Sequence, residues 1–206
     1  MLTVYGTPGT RSSRVTWTLE ELGLDYQFKK IDLRAGEGQR PPFIDLNPGG
    51  KVPVLTDGDL VLTESVAICC YLADLKPEAG LIPPLTDPAA RATHLQWCCF
   101  AISELEQPLW SMAKHTFALP EDKRIAAMLA TAGWEFRRPV KVLTTALQDR
   151  EYILGDRFSV ADILLGHTLA WARMVKLPLG DVLDGYADRL LTRPALAQAQ
   201  AREQQN

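Results

Sequence analysis

The residues able to do chemistry cluster in two short stretches of the first 75 positions. One is the loop GTPGT, Gly6–Thr10, which runs into RSSRVTWTLEELG. It delivers the hydroxyls Thr10, Ser12 and Ser13 to the start of a helix. A helix N-terminus carries unpaired N–H groups and a partial positive charge, so it stabilises an anion placed there. None of the three hydroxyls has a histidine near it in sequence; His94, His115 and His167 all lie beyond residue 87. A serine–histidine–carboxylate nucleophile is therefore poorly supported. The other stretch is KVPVLTDGDLVLTES, residues 51–65. Glu64 and Ser65 stand where a helix should begin, offering a carboxylate for an ammonium beside a second anion site. Pro53 interrupts an apolar run and cannot donate to a sheet ladder. The Val52 backbone beside it is left to pair with an extended ligand by strand addition, and Lys51 adds a cation. Two helix N-termini and an open sheet edge suit a short zwitterionic peptide. The same residues also read as two capped helices and an edge strand.

Several elements must position these groups. Leu2–Tyr5 reads as a strand. Val15, Leu19 and Leu22 recur at helical spacing before a Gly23 stop. Tyr26–Ile31 reads as a second strand, so the chain opens β–loop–α–β, the unit that favours parallel pairing. Residues 32–50 are irregular, with a helical turn near Phe43–Leu46. Val52–Leu55 and Leu60–Leu62 flank an Asp-Gly hairpin signal. Ser65–Leu75 reads as a helix that is apolar nearly all round. KPEAGLIPPLTDP, residues 76–88, is a linker. Helices are expected beyond it at 87–115, about 121–148, about 159–175 and about 181–202, the first kinked or divided by Pro108. FSVAD places Ser159 at an N-cap with Asp162 three residues on, and Phe158 as a staple against Ile163 or Leu164. Asp162 is read as structural despite nearby His167, expected to be buried. The division is an α/β domain, residues 1–79, and an all-helical domain, residues 87–206.

Composition narrows the function. The 206 residues are 47% hydrophobic and 23% charged, as in ordinary globular chains. A net charge of -3 without a basic tract argues against nucleic acid as partner. No apolar run reaches membrane-span length, and MLTVYGTPG lacks the pattern of a signal peptide, so a cytoplasmic protein without a membrane partner is expected. The four cysteines fall in two adjacent pairs, Cys69–Cys70 and Cys98–Cys99, with no CxxC. Neighbouring helical side chains diverge by about 100°, which disfavours a shared metal face. They read as reduced, buried small hydrophobes.

Three stretches together resemble the cytosolic glutathione transferases, particularly bacterial members with a serine- or threonine-type active site. YGTPGTRSSRVTWTLEELGLDY, residues 5–26, is similar to the first strand, catalytic loop and first helix. NPGGKVPVLTDGDLVLTESVAICCYLAD, residues 47–74, matches the Asn-Pro-x-Gly-x-Val-Pro…Glu-Ser pattern. FSVADI, starting at Phe158, resembles the capping box of the helical domain. The resemblance covers nearly the whole chain. It implies an N-terminal thioredoxin-like domain with a cis bond before Pro53, followed by an all-helical domain. It implies glutathione as co-substrate, with Glu64 and Ser65 at its γ-glutamyl end, Val52 and Pro53 beside its cysteinyl unit and Lys51 near its glycyl end. The family's Ser-x-x-x-Arg pattern maps its arginine to Arg14 and its catalytic hydroxyl to Thr10, a departure that keeps Ser12 and Ser13 as alternatives. Gly50 is a second departure, where some classes place a histidine or lysine. The implied chemistry is attack by the glutathione thiolate on an electrophilic, hydrophobic small molecule, with no metal and no protein cysteine. Trp110, Met112, His115 and Phe117 are expected to line the electrophile site between the domains, while also reading as core. Trp97 and Phe100 read as core or subunit contact. A homodimer and a role in detoxification are implied as well. The competing readings are a glutathione-dependent disulfide or peroxide reductase or isomerase, and a non-catalytic transferase-like binding protein.

Overall fold

A computed structural model describes residues 1–205 of the chain. The first 75 residues form β1 (Leu2–Gly6), α1 (Ser12–Leu22), β2 (Tyr26–Lys30), α2 (Phe43–Leu46), β3 (Val54–Asp57), β4 (Leu60–Thr63) and α3 (Ser65–Leu75). The sheet order is β2-β1-β3-β4. β1 runs parallel to β2, across the α1 connection, and antiparallel to β3. β3 and β4 form the expected hairpin, Asp57 facing Leu60, with Gly58 at φ 56 in the turn. This is the thioredoxin-like arrangement. β3 starts two residues later than expected because Val52 and Pro53 stay outside the ladder; their peptide bond is cis.

α1 is buried almost all round, because it packs on β1, on α3 and on the last helix, α10 (Pro194–Gln204). Its polar side chains are paired inside the protein. The Thr18 hydroxyl donates to the Arg14 carbonyl at 2.8 Å, and the Trp17 indole donates to Glu21 at 2.9 Å. α3 buries Ser65, Ile68, Cys69, Leu72 and Ala73, while Ala67, Asp74 and Leu75 are exposed. It is therefore one-sided rather than apolar all round.

Beyond the linker lie α4 (Pro88–Phe100), α5 (Glu106–Ala113), α6 (Ala127–Glu135), α7 (Arg137–Leu147), α8 (Val160–Met174) and α9 (Asp181–Leu191). Asp87 caps α4, accepting the Ala90 N–H at 3.0 Å. Pro108 does not divide the first helix. The chain instead widens into a π turn over Ala101–Leu105, where the Glu106 N–H reaches the Ala101 carbonyl, and again over Lys114–Ala118. A wider turn relieves the clash between a proline ring and the preceding carbonyls. α8 is the central buried helix of this half and packs on α4, α5 and α9.

The chain forms two compact units, one of Met1–Ile82 with the C-terminal stretch from Thr192, the other Pro83–Leu191. The sequence-based division differs at the C-terminus. The expected helix at 181–202 is broken at Pro194, which opens α10 at its first position. α10 returns to α1. Arg193 bonds Glu21 at 2.6 Å and 2.8 Å, and Glu203 accepts hydroxyls from the opposite end of α1, so the two helices run antiparallel. Among the described residues, no helix is long and apolar enough to cross a membrane.

Candidate active site

The β1–α1 loop is tight, and Gly6 makes it so. A Cβ at Gly6 would lie 2.7 Å from the Ser12 Cβ and 2.8 Å from Phe28, so only glycine lets α1 begin this close to the strand. Inside the loop the hydroxyls form a chain. The Thr10 hydroxyl donates to the Thr7 carbonyl at 2.7 Å and lies 3.0 Å from Ser12 Oγ. Ser12 Oγ also accepts the Thr7 N–H at 3.2 Å, and Thr10 Oγ1 accepts the Ser12 N–H at 3.2 Å. Ser12 is wholly buried, and Ser13 is buried with its hydroxyl on Glu203 Oε2 at 3.0 Å. Thr10 is half-buried. Of the three candidate hydroxyls, Thr10 is thus the one a bound group can approach.

The second helix end converges on the first. Arg14, fully buried in the first turn of α1, donates from Nη1 to Ser65 Oγ at 3.3 Å. Ser65 is the buried first residue of α3. Two helix N-termini and a guanidinium therefore face a common region of one compact unit. Each stabilises negative charge, and burial of the guanidinium reduces solvent screening of its field. Glu64, just before α3, is exposed and sits at φ 64, ψ 111. A non-glycine residue in that region costs about 1–3 kcal/mol, a strain that concentrates at ligand sites. Arg14 served the sequence reading only as a marker for Thr10; its buried link to Ser65 spans 51 positions and has no local signature. Cys69, buried behind the site, donates to the Arg14 carbonyl. Burial pushes its thiol up to about 12, so it is no nucleophile.

Val52 packs with Tyr5 and Leu46 against Ile31, Phe43 and Val54. No strand of the described residues pairs with it, but β3 lies between β1 and β4, so Val52 and Pro53 form an unpaired lead-in to a central strand rather than the sheet edge expected from the sequence. Lys51 is exposed, and its carbonyl accepts the Asn47 side-chain amide at 2.7 Å. Gly50 is buried at φ 61, and a Cβ there would fall 2.1 Å from Gln39 Nε2. The Gln39 carboxamide thus takes up the space in which the larger residue of other classes would begin. Gln39 went unnoticed in the sequence because it lies in the irregular 32–50 segment.

The proposed electrophile residues all lie on α5 and the following π turn. Trp110, Met112 and His115 are half-buried, and Phe117 is exposed. His115 Nδ1 accepts the Ile125 N–H at 3.2 Å, tying the next loop to this helix. Trp97 is buried and Phe100 half-buried, their rings edge to face at 5.2 Å.

Asp162 belongs to the fold. It accepts the Ser159 N–H at 2.8 Å and hydroxyl at 2.7 Å, completing the capping box, and also the Ile153 N–H at 2.9 Å and the Tyr186 hydroxyl at 2.6 Å. Burial still pushes its carboxyl above the usual value, against the lowering effect of those bonds. Phe158 stacks edge to face on Tyr152 at 5.6 Å, a partner the staple reading did not include, and His167 is half-buried rather than buried. Of the four cysteines, Cys69 and Cys98 are buried, Cys70 is half-buried and Cys99 is exposed, so the small-hydrophobe reading holds for two of them.

Comparison with known proteins matches this geometry to a family. Residues 1–74 match the family described as "Glutathione S-transferase, N-terminal domain", and residues 107–194 its C-terminal domain. Glutathione S-transferase GstA of Escherichia coli O157:H7 is 30% identical over 202 residues, covering 95% of this chain and 96% of that protein. The disulfide-bond oxidoreductase YfcG of Escherichia coli K12 is also 30% identical, over 208 residues, covering 97% of this chain and 94% of YfcG. A glutathione transferase homologue from Sulfitobacter, solved with bound glutathione, superposes with a TM-score of 0.83 at 27% identity, covering 98% of each chain.

Proposed function

We propose that this chain, which belongs to the glutathione S-transferase family and takes glutathione as its co-substrate, ionises the glutathione thiol at Thr10 and directs it at a small hydrophobic electrophile. The observation that carries the reading is the convergence of the α1 and α3 N-termini through Arg14 and Ser65. The γ-glutamyl carboxylate suits the α3 end at Ser65, and its ammonium suits exposed Glu64. The cysteinyl unit then runs antiparallel to Val52 before Pro53, which aims its sulfur at the loop. Lys51 serves the glycyl carboxylate, with Gln39 against Gly50 beside it.

A free thiol, with pKa about 8.5, is mostly protonated at neutral pH. Thr10 turns its hydroxyl from the Thr7 carbonyl to the sulfur, and the α1 terminus adds its field. The proton leaves to solvent. The thiolate forms a carbon–sulfur bond while the electrophile loses its leaving group or accepts the electron pair. Ser12, with no exposed surface, supports Thr10 rather than touching the sulfur; Ser13 anchors the loop.

A disulfide or peroxide reductase is the second reading, supported by the likeness to YfcG and using the same thiolate on sulfur or oxygen. A non-catalytic binding protein is the third. Retention on immobilised glutathione with turnover of aryl halides supports transfer. Turnover of mixed disulfides or hydroperoxides alone supports reduction, and binding without turnover supports the third. Cytoplasmic location, a homodimer, a role in detoxification and the absence of nucleic-acid and membrane partners belong to the same proposal.

A further inference from the structure

The last helix places a carboxylate directly behind the thiol-activating loop. Glu203 of α10 is buried. Its Oε1 accepts the Thr16 hydroxyl at 2.6 Å and its Oε2 the Ser13 hydroxyl at 3.0 Å. It thus holds the start of α1 just after Thr10, 190 positions away in sequence from Ser13. Resting on the function proposed above, we propose that Glu203 is a positioning residue for thiol activation, holding the Gly9–Ser13 turn so that Thr10 meets the sulfur.

The Thr16 hydroxyl does not require this carboxylate for its own satisfaction. Thr16 Oγ1 lies 3.3 Å from the Ser13 carbonyl and 3.5 Å from the Ser12 carbonyl, both on its own helix. The group that depends on Glu203 is the Ser13 hydroxyl, and the loop ahead of it turns at Gly9, at φ 71, which glycine adopts without strain. Gly9 and Ser13 bracket Thr10, and the Ser13 N–H donates to the Thr10 carbonyl at 3.0 Å. Holding Ser13 fixes the backbone that sets the direction of the Thr10 side chain. The role is geometric, because the field of a carboxylate opposes a thiolate. Burial also pushes the Glu203 carboxyl above its usual value, against the lowering effect of Thr16 and Ser13. Arg193, at the other end of α10, holds the helix through Glu21 without touching the loop.

The test compares wild type with Glu203→Ala, Glu203→Gln and Arg193→Ala. Two quantities are read: the pH titration of the bound glutathione thiol by its ultraviolet absorbance, and kcat and KM with an aryl halide. For Glu203→Ala we expect the bound-thiol pKa to rise by about one unit, and kcat to fall about three- to eightfold at neutral pH. The glutathione KM should change less than about twofold, since Glu64 and Ser65 are untouched. Glu203→Gln, which keeps an acceptor oxygen and the shape, should recover most of the loss. Arg193→Ala should lower thermal stability and leave the bound-thiol pKa alone. A folded Glu203→Ala with wild-type thiol pKa and kcat overturns the inference while leaving the proposed function standing. So does an equal thiol shift in Arg193→Ala, which reduces the contact to general stability. Should Glu203→Ala not fold, Ser13→Ala reads the same link, and a wild-type thiol pKa there overturns it. Failure of the wild type to ionise bound glutathione overturns the proposed function and this inference with it.

Discussion

Replacing Thr10 with alanine probes the loop where its geometry is most explicit. The Thr10 hydroxyl now donates to the Thr7 carbonyl at 2.7 Å and receives the Ser12 side. Donation to a thiolate, a charged acceptor, is worth about 1.5–3 kcal/mol, and the bond surrendered to Thr7 about 1 kcal/mol. The net gain is about 0.5–2 kcal/mol, or about 0.4–1.5 units in the pKa of the bound thiol. The α1 terminus, worth about 0.3–1 kcal/mol, persists in the variant. Thr10→Ala should therefore raise the bound-thiol pKa within that range and, through the thiolate fraction, lower kcat about 2- to 10-fold at neutral pH. Glutathione affinity should stay within about threefold, because the head-group contacts lie on α3. Thr10→Ser should restore activity, since it returns the hydroxyl. The assay is the thiolate absorbance of the saturated complex across pH, with steady-state kinetics on the same samples. A Thr10→Ala protein with unshifted thiol pKa would refute the reasoning and transfer the role to Ser12 or Ser13.

Ser65→Ala and Glu64→Ala should act on binding instead. Loss of one charge-assisted contact weakens glutathione by about 10- to 100-fold in calorimetry, and unchanged affinity would remove the head group from α3. Asp162→Ala leaves the Tyr186 hydroxyl and two buried N–H groups without their acceptor. It should cost about 3–4 kcal/mol in denaturant unfolding, with Asp162→Asn costing less; a loss below about 1 kcal/mol would contradict the structural role. Glu203 has a folded-state pKa raised above 4.5 by burial, so its proton-linked stability is complete below pH 4.5 and is lost as pH rises through the folded value. Wild-type stability measured relative to Glu203→Gln should accordingly decline as pH increases over that window, and a flat or rising difference would be inconsistent.

The sequence was most informative where local chemistry dictates structure. The Asp57-Gly58 pair forces a hairpin, Pro53 cannot enter the ladder, and Ser159 with Asp162 writes a helix start. Each is settled within a few residues by dihedral preference or hydrogen-bonding capacity. The proposed site residues Thr10, Glu64 and Ser65 stand out in the sequence for the same reason, since they lie at helix beginnings. What stayed hidden depends on distant partners. Nothing around Glu203 announces that it will meet Ser13 and Thr16, and an Ala/Gln-rich stretch gives no hint that α10 returns to α1. Arg14 looks like a surface residue until α3 covers it. The π turn over Ala101–Leu105 lets the helix continue through Pro108, whereas the local rule for proline points to a break. The positive φ of Glu64 is unusual for its residue type and cannot be read from local sequence.

The convergence of two helix ends on one ligand is tested most directly by a crystal structure of the protein saturated with glutathione. The account requires the glutathione sulfur within hydrogen-bond distance of Thr10 Oγ1, with the γ-glutamyl group on Glu64 and Ser65 and the cysteinyl backbone paired with Val52. A sulfur remote from residues 10–13, or a ligand seated away from the α3 N-terminus, would contradict it.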